Sequence, residues 1–122
     1  METPINILLV DDEPRNLTAL ESILDSPDYD LTKVQSGPEA LMALLTGDFA
    51  LLVLDIEMPG MNGVDALRGI RAIDSAIPVI MVTGSESTRL AGDVIKGGAF
   101  SYLPKPVRLQ YLEHLAATVL QP

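Results

Sequence analysis

The chain contains no cysteine, and its basic residues are few, with Lys and Arg totalling 8 against 17 Asp and Glu. The missing cysteine excludes a disulfide framework and any cysteine-based zinc site, and it is compatible with a cytoplasmic setting. The shortage of bases leaves a formal charge of −9. Duplex affinity comes largely from neutralising phosphates with Lys and Arg, so direct nucleic-acid binding by this domain is not expected. No apolar run approaches the roughly 20 residues needed to cross a bilayer, so no membrane span is expected. The N-terminus also lacks the basic-then-apolar order of a secretory signal. Internal repeats, low-complexity tracts and linkers are missing too. A length of 122 residues fits a single domain, 1–122, long enough to bury a core without disulfides or structural metals.

What the chain does have is a regular alternation. Apolar strand-like runs occur at Ile5–Val10, Leu31–Val34, Leu51–Leu54, Val79–Val82 and Ser101–Leu103. The first, third and fourth are nearly continuous apolar, as strands are when both faces of a parallel sheet are covered. The second is more polar and the fifth is short, so both read as edges. Helical spacing fills the intervals. Leu17, Leu20 and Leu24 follow Pro14, a residue suited to a first helical turn. Ser36 and Glu39 have the spacing of a capping box ahead of Ala40, Leu41, Leu44 and Leu45. Further helices are predicted over Gly63–Ala72, Ser87–Lys96 and Arg108–Leu120. Strand then helix, repeated, argues for an α/β fold: a five-stranded parallel sheet of order 2-1-3-4-5 with helices on both faces. Ligands of such sheets bind outside the carboxyl ends of the strands, near the switch point between strands one and three.

The residues that follow each strand are the polar ones. Strand one runs into Asp11-Asp12, strand three into Asp55, strand four into Thr83-Gly84, and strand five is followed by Lys105-Pro106. Adjacent strands lie roughly 4.8 Å apart, so Asp11, Asp12 and Asp55 are predicted to be near neighbours. Like charges about 4 Å apart repel by about 4 kcal/mol at an effective dielectric near 20. A divalent cation together with Lys105 would balance the three acids. An oxygen-only set with few carboxylates suits Mg²⁺, which keeps several waters and often binds beside phosphate. Lys105 and Thr83 can both contact a phosphoryl oxygen. A carboxylate can itself be a nucleophile, forming an aspartyl-phosphate. Asp55 stands alone on its central strand and is the candidate, while the Asp11-Asp12 pair is better suited to holding metal. By residue type alone, Asp11-Asp12 could be a solvated acidic turn, Thr83 a strand-end hydroxyl, Lys105 a surface lysine and Tyr102 half-buried edge packing. The single histidine, His114, reads as a solvated residue of the last helix.

The segments "LLVDDEP", "LLVLDIEMPGMNG", "VIMVTG" and "AFSYLPKPV" occur in that order. On them the chain resembles the receiver, or response-regulator (CheY-like), domain of two-component signalling over essentially its full length, with the flavodoxin-like fold that family has. The resemblance implies that Asp55 is the phospho-acceptor, taking a phosphoryl group from a sensor histidine kinase or a histidine phosphotransfer protein. It implies Mg²⁺ bound directly by Asp12, through water by Asp11, and by Asp55 and the backbone carbonyl of Glu57. Lys105 would pair with the phosphoryl group, its bond to Pro106 being cis. Thr83 would move toward that group, and Tyr102 would be the aromatic switch that follows it. Gly63 matches the turn that opens the third helix. The fourth-helix, fifth-strand and fifth-helix face would serve a downstream protein partner or a homodimer, with Leu90, Val94, Ile95 and Leu115 as candidate contacts or plain core. The protein would catalyse only its own phosphorylation and dephosphorylation.

The Gly97-Gly98 pair gives the link before the fifth strand unusual conformational freedom. The opening "METP" slightly favours a stand-alone regulator over a fragment of a larger regulator or hybrid kinase. A Mg²⁺-dependent aspartyl-phosphate phosphohydrolase is a rival from another class, but such enzymes of the haloacid-dehalogenase type place the nucleophile in an Asp-x-Asp after strand one. A flavodoxin-like cofactor carrier would need a phosphate-binding loop where Asp11, Asp12 and Glu13 stand.

Overall fold

The computed structural model describes residues 4–55, 57–58, 61–83, 98–99, 101–104 and 107–120. The main sheet contains β1 (Ile5–Val10), β2 (Tyr29–Val34), β3 (Leu51–Asp55), β6 (Val79–Thr83) and β7 (Ser101–Pro104). Between β3 and β6 lie two short strands, β4 (Glu57–Met58) and β5 (Met61–Asn62), paired antiparallel with each other. The main sheet is parallel throughout, in the order β2-β1-β3-β6-β7. This is the expected 2-1-3-4-5 arrangement, with the two weakest apolar runs at its edges. The helices are α1 (Pro14–Ile23), α2 (Gly37–Thr46), α3 (Gly63–Ile73) and a C-terminal helix (Leu109–Leu120). The helix expected over 87–96 lies outside the described residues. Among the described residues no helix is long and apolar enough to cross a membrane.

Both faces of the sheet are buried, which is why its central strands are apolar at consecutive positions. Side chains alternate across a strand. Leu8, Val10, Leu52, Leu54, Val79 and Met81 therefore pack on one face, against Ala40 and Leu44 of α2 and Ala66, Leu67 and Ile70 of α3. Ile7, Leu9, Leu51, Val53, Ile80 and Val82 pack on the other, against Leu17 and Leu20 of α1 and Leu112 and Ala116 of the C-terminal helix. Helices α2 and α3 approach closely at Gly69, where a Cβ would meet Leu41 Cδ2 at 3.2 Å.

Local chemistry sets the helix starts. Glu13 caps α1, its carboxylate accepting from the Arg15 backbone N–H at 3.2 Å, with Pro14 at the first helical position. Ser36 caps α2 by accepting from Glu39 N–H at 3.2 Å. The return half of the expected box shifts by one residue, since Glu39 accepts from the Gln35 N–H at 3.3 Å. Ser36→Ala is expected to lower stability by about 0.5–2 kcal/mol, measurable by urea unfolding. Two expectations are adjusted. Strand β2 begins at Tyr29, two residues before its apolar run, because its register with β1 extends to the Ile5–Tyr29 pair. Leu45 is 65% exposed instead of joining the α2 core face, because α2 turns Ala40 and Leu44 inward and the next position points away.

Candidate functional site

Strand register brings the acids together. Val10 pairs with Leu54, so Asp11 leaves β1 at the level where Asp55 ends β3. Asp55 in turn pairs with Val82, which places Thr83 one residue further along the same rim. Asp11, Asp55 and Thr83 are the buried polar or charged residues among those described, each at 2% exposure or less, while Asp12 is exposed. One carboxylate oxygen from each of Asp11, Asp12 and Asp55 lies within 4.8 Å of the other two. A carboxylate set this tight, half sunk in an apolar sheet, repels itself and calls for cationic compensation.

Asp11 is further organised by the turn that opens α1. Its Oδ1 accepts from the Glu13 backbone N–H at 2.9 Å and from Asn16 Nδ2 at 3.4 Å. Two donors on one oxygen fix the carboxylate's orientation and offset part of its charge. Sequence reasoning did not single out Asn16. The signal was available, since Asn16 lies in the first turn of the helix that Pro14 starts. Asp12 faces outward, where a hydrated cation has access.

Around the trio, β6 and β7 position the other candidates. Met81 pairs with Tyr102 and Thr83 with Pro104. By strand alternation Met81, Thr83 and Tyr102 share one face of the sheet. Tyr102 is half-buried and packs against the cluster that contains Ile70, Ile77 and Ala99. Lys105 follows Pro104 in the chain but, like Pro106 and Gly84, lies outside the described residues, as do Leu90, Val94, Ile95 and Gly97. Glu57 falls in β4, two residues after Asp55. Gly63 is the first residue of α3. His114 is exposed and Leu115 partly buried on the C-terminal helix.

The sequence matches the family model of the response regulator receiver domain over residues 7–117. The chain belongs to that family: it is a receiver domain of two-component signalling. The receiver is 34% identical over 109 residues to the transcriptional regulatory protein ZraR of Salmonella typhimurium, covering 89% of this chain and 25% of that one. The receiver thus spans about a quarter of that relative's length. A CheY-like receiver domain protein from Methanospirillum hungatei superposes with a TM-score of 0.87 at 28% identity, over 96% of this chain and 94% of the other. The receiver domain of a sensor histidine kinase from Pseudomonas aeruginosa, with a magnesium ion coordinated in its active-site cleft, superposes at 0.84 and 28% identity, over 95% and 97% of the two chains. The receiver's own carboxylate trio is of a kind that fits such an ion: hard oxygen donors, few in number, open to water at Asp12.

Proposed function

We propose that this receiver takes a phosphoryl group on Asp55 from a phosphohistidine of a sensor kinase or phosphotransfer protein. The observation that carries the reading is the convergence of the Asp11, Asp12 and Asp55 oxygens within 4.8 Å at the carboxyl rim of the sheet. Asp12, Asp11 and Asp55, with the backbone carbonyl of Glu57, would hold Mg²⁺. When bound, that ion supplies charge neutralisation for the carboxylates and the incoming phosphoryl oxygens.

The chain's own residues do the rest. An Asp55 carboxylate oxygen attacks phosphorus, forming an acyl-phosphate P–O bond as the donor's P–N bond breaks. The bonding pair returns to the imidazole nitrogen, and the ring leaves as neutral imidazole, its proton either already on the other nitrogen or supplied by water. Burial of Asp55 at a strand end holds the nucleophile in one position, and positioning is most of what phosphoryl transfer requires. Asp11, fixed by the Glu13 N–H and Asn16, keeps its carboxylate aimed at the site. Lys105 pairs with the transferred group, and Thr83 donates its hydroxyl hydrogen to a phosphoryl oxygen. Water later attacks phosphorus and releases inorganic phosphate, restoring Asp55.

The acyl phosphate carries about 1.5 to 2 negative charges where a single carboxylate charge stood. That change draws Thr83 inward, and Tyr102, on the same face, repacks into the space. The output is a reshaped face for a protein partner rather than a released metabolite, built around β7 and the C-terminal helix. Incubation with Mg²⁺ and acetyl phosphate, followed by intact mass, is expected to show one added phosphoryl group that EDTA prevents. An adduct that survives Asp55→Asn, or none with any phosphodonor including a phosphorylated histidine domain, would refute the reading.

A further inference from the structure

The receiver contains a polar contact that the acceptor chemistry does not use. Arg71, in the last turn of α3, spreads its guanidinium over three backbone carbonyls. Nη1 donates to Ile77 O at 2.5 Å and, more distantly, to Asp74 O at 3.4 Å. Nη2 donates to Gly98 O at 2.6 Å, across 27 residues of sequence. The first two acceptors belong to the connection between α3 and β6, which is itself ordered, since Asp74 Oδ1 accepts from Ala76 N–H at 2.9 Å and Ile77 N–H at 3.0 Å. The third belongs to the turn just before β7. A planar fork held at one side by two carbonyls is pre-organised to hold the third.

Gly98 is shaped for this contact. Its φ is +104°, a conformation L side chains rarely adopt, and a Cβ there would lie 3.0 Å from Arg71 Nε. The glycine therefore lets the guanidinium lie against the backbone, and the freedom expected of the Gly97-Gly98 pair is spent, at Gly98, on a fixed contact. The neighbouring Ala99 is buried with Ile70 and Ile77, so apolar packing and the fork meet at one place.

The strand that follows needs such an anchor. Among the described residues β7 is an edge strand, paired on one side, to β6. It carries Tyr102, and its last residue, Pro104, immediately precedes Lys105. We propose that Arg71 is a positioning residue that latches the start of β7 to the α3–β6 connection, and so fixes the strand on which the phosphoryl switch depends. The functional half of this rests on Asp55 being the acceptor. Without the latch, β7 samples more arrangements, the competent one is less populated, and the apparent rate falls by that fraction.

The test uses Arg71→Met, which keeps the aliphatic stem and removes every donor, with Arg71→Lys and Gly98→Ala beside it. Amide exchange at Ala99 and in β7 is expected to accelerate about tenfold in Arg71→Met, the effect of losing a single charge-assisted hydrogen bond. Amides of β1 and β3 should keep their rates. Arg71→Lys should fall between, because an ammonium lacks the fork, and Gly98→Ala should resemble Arg71→Met by displacing the guanidinium from the other side. Labelling by acetyl phosphate should slow severalfold in Arg71→Met while Mg²⁺ affinity, set on β1 and β3, stays unchanged. Unaltered exchange in β7 overturns the latch. Acceleration spread equally over β1 and β3 overturns it as well, since that is loss of global stability. Faster β7 exchange with labelling at the parent rate overturns the role in the switch. If the parent protein itself takes no phosphoryl group, the reading of Asp55 has failed, and exchange in β7 alone decides whether Arg71 anchors the strand.

Discussion

Asp55→Asn is expected to make the metal-free receiver more stable while removing its phosphoryl uptake. Asp55 and Asp11 are buried, and an oxygen of each lies within 4.8 Å of the other and of Asp12. The folded state therefore holds a repulsion that the unfolded chain does not. Removing one of the three charges should raise the unfolding free energy by about 1–3 kcal/mol in EDTA at neutral pH, within the range for like charges at this separation. Asparagine is nearly the same size and keeps a carbonyl acceptor, so packing is little disturbed. Magnesium should reverse the order. A cation bound only by the folded state adds RT ln(1 + [Mg²⁺]/Kd), about 2.7 kcal/mol at a concentration of 100 Kd. Asp55→Asn weakens the site and forfeits most of that gain. Urea unfolding of both proteins in EDTA and in saturating Mg²⁺ gives the four values. A variant less stable than its parent in EDTA would show that the carboxylates are compensated within the chain, and the physical case for a cation would be lost.

The same trio shows how much was legible in the sequence. Each of Asp11, Asp12 and Asp55 follows an apolar run, and a parallel sheet with a 2-1-3 core leaves no other place for them than one rim. The order β2-β1-β3-β6-β7 was readable for a related reason, since only strands buried on both faces tolerate runs such as Leu51–Leu54. Side-chain to backbone contacts over long separations were not readable. Nothing in the spacing of Arg71 and Gly98 announces a bond across 27 residues, because that contact depends on where the end of α3 meets the turn before β7 and not on a local period. The short β4–β5 pair was missed too, since two-residue strands beside Pro59-Gly60 carry no alternation to detect. Leu45 misled for the opposite reason. Its residue type and spacing fit a core stripe, but α2 offers only a narrow face to the sheet and to α3, which Ala40, Leu41 and Leu44 fill.

The two-faced core yields the second large effect. Leu67→Ala on α3 and Leu112→Ala on the C-terminal helix each empty a fully buried position, Leu67 in the cluster on one side of the sheet and Leu112 in the cluster on the other. Each is expected to lower stability by about 2–5 kcal/mol, the transfer cost of the lost methyl groups plus that of the cavity. The sheet lies between the two sites, and they belong to separate clusters, so the losses should add to within about 0.5 kcal/mol. Their sum, about 4–10 kcal/mol, is comparable to the whole stability of a small domain, so the double variant should be partly or wholly unfolded at 25 °C. Urea midpoints for the two single variants, and circular dichroism of the double, measure this. Strong non-additivity would mean that strain crosses the sheet, and that the two helical layers act as one packing unit instead of two. In that case a change at β7 could reach α1 through the core alone.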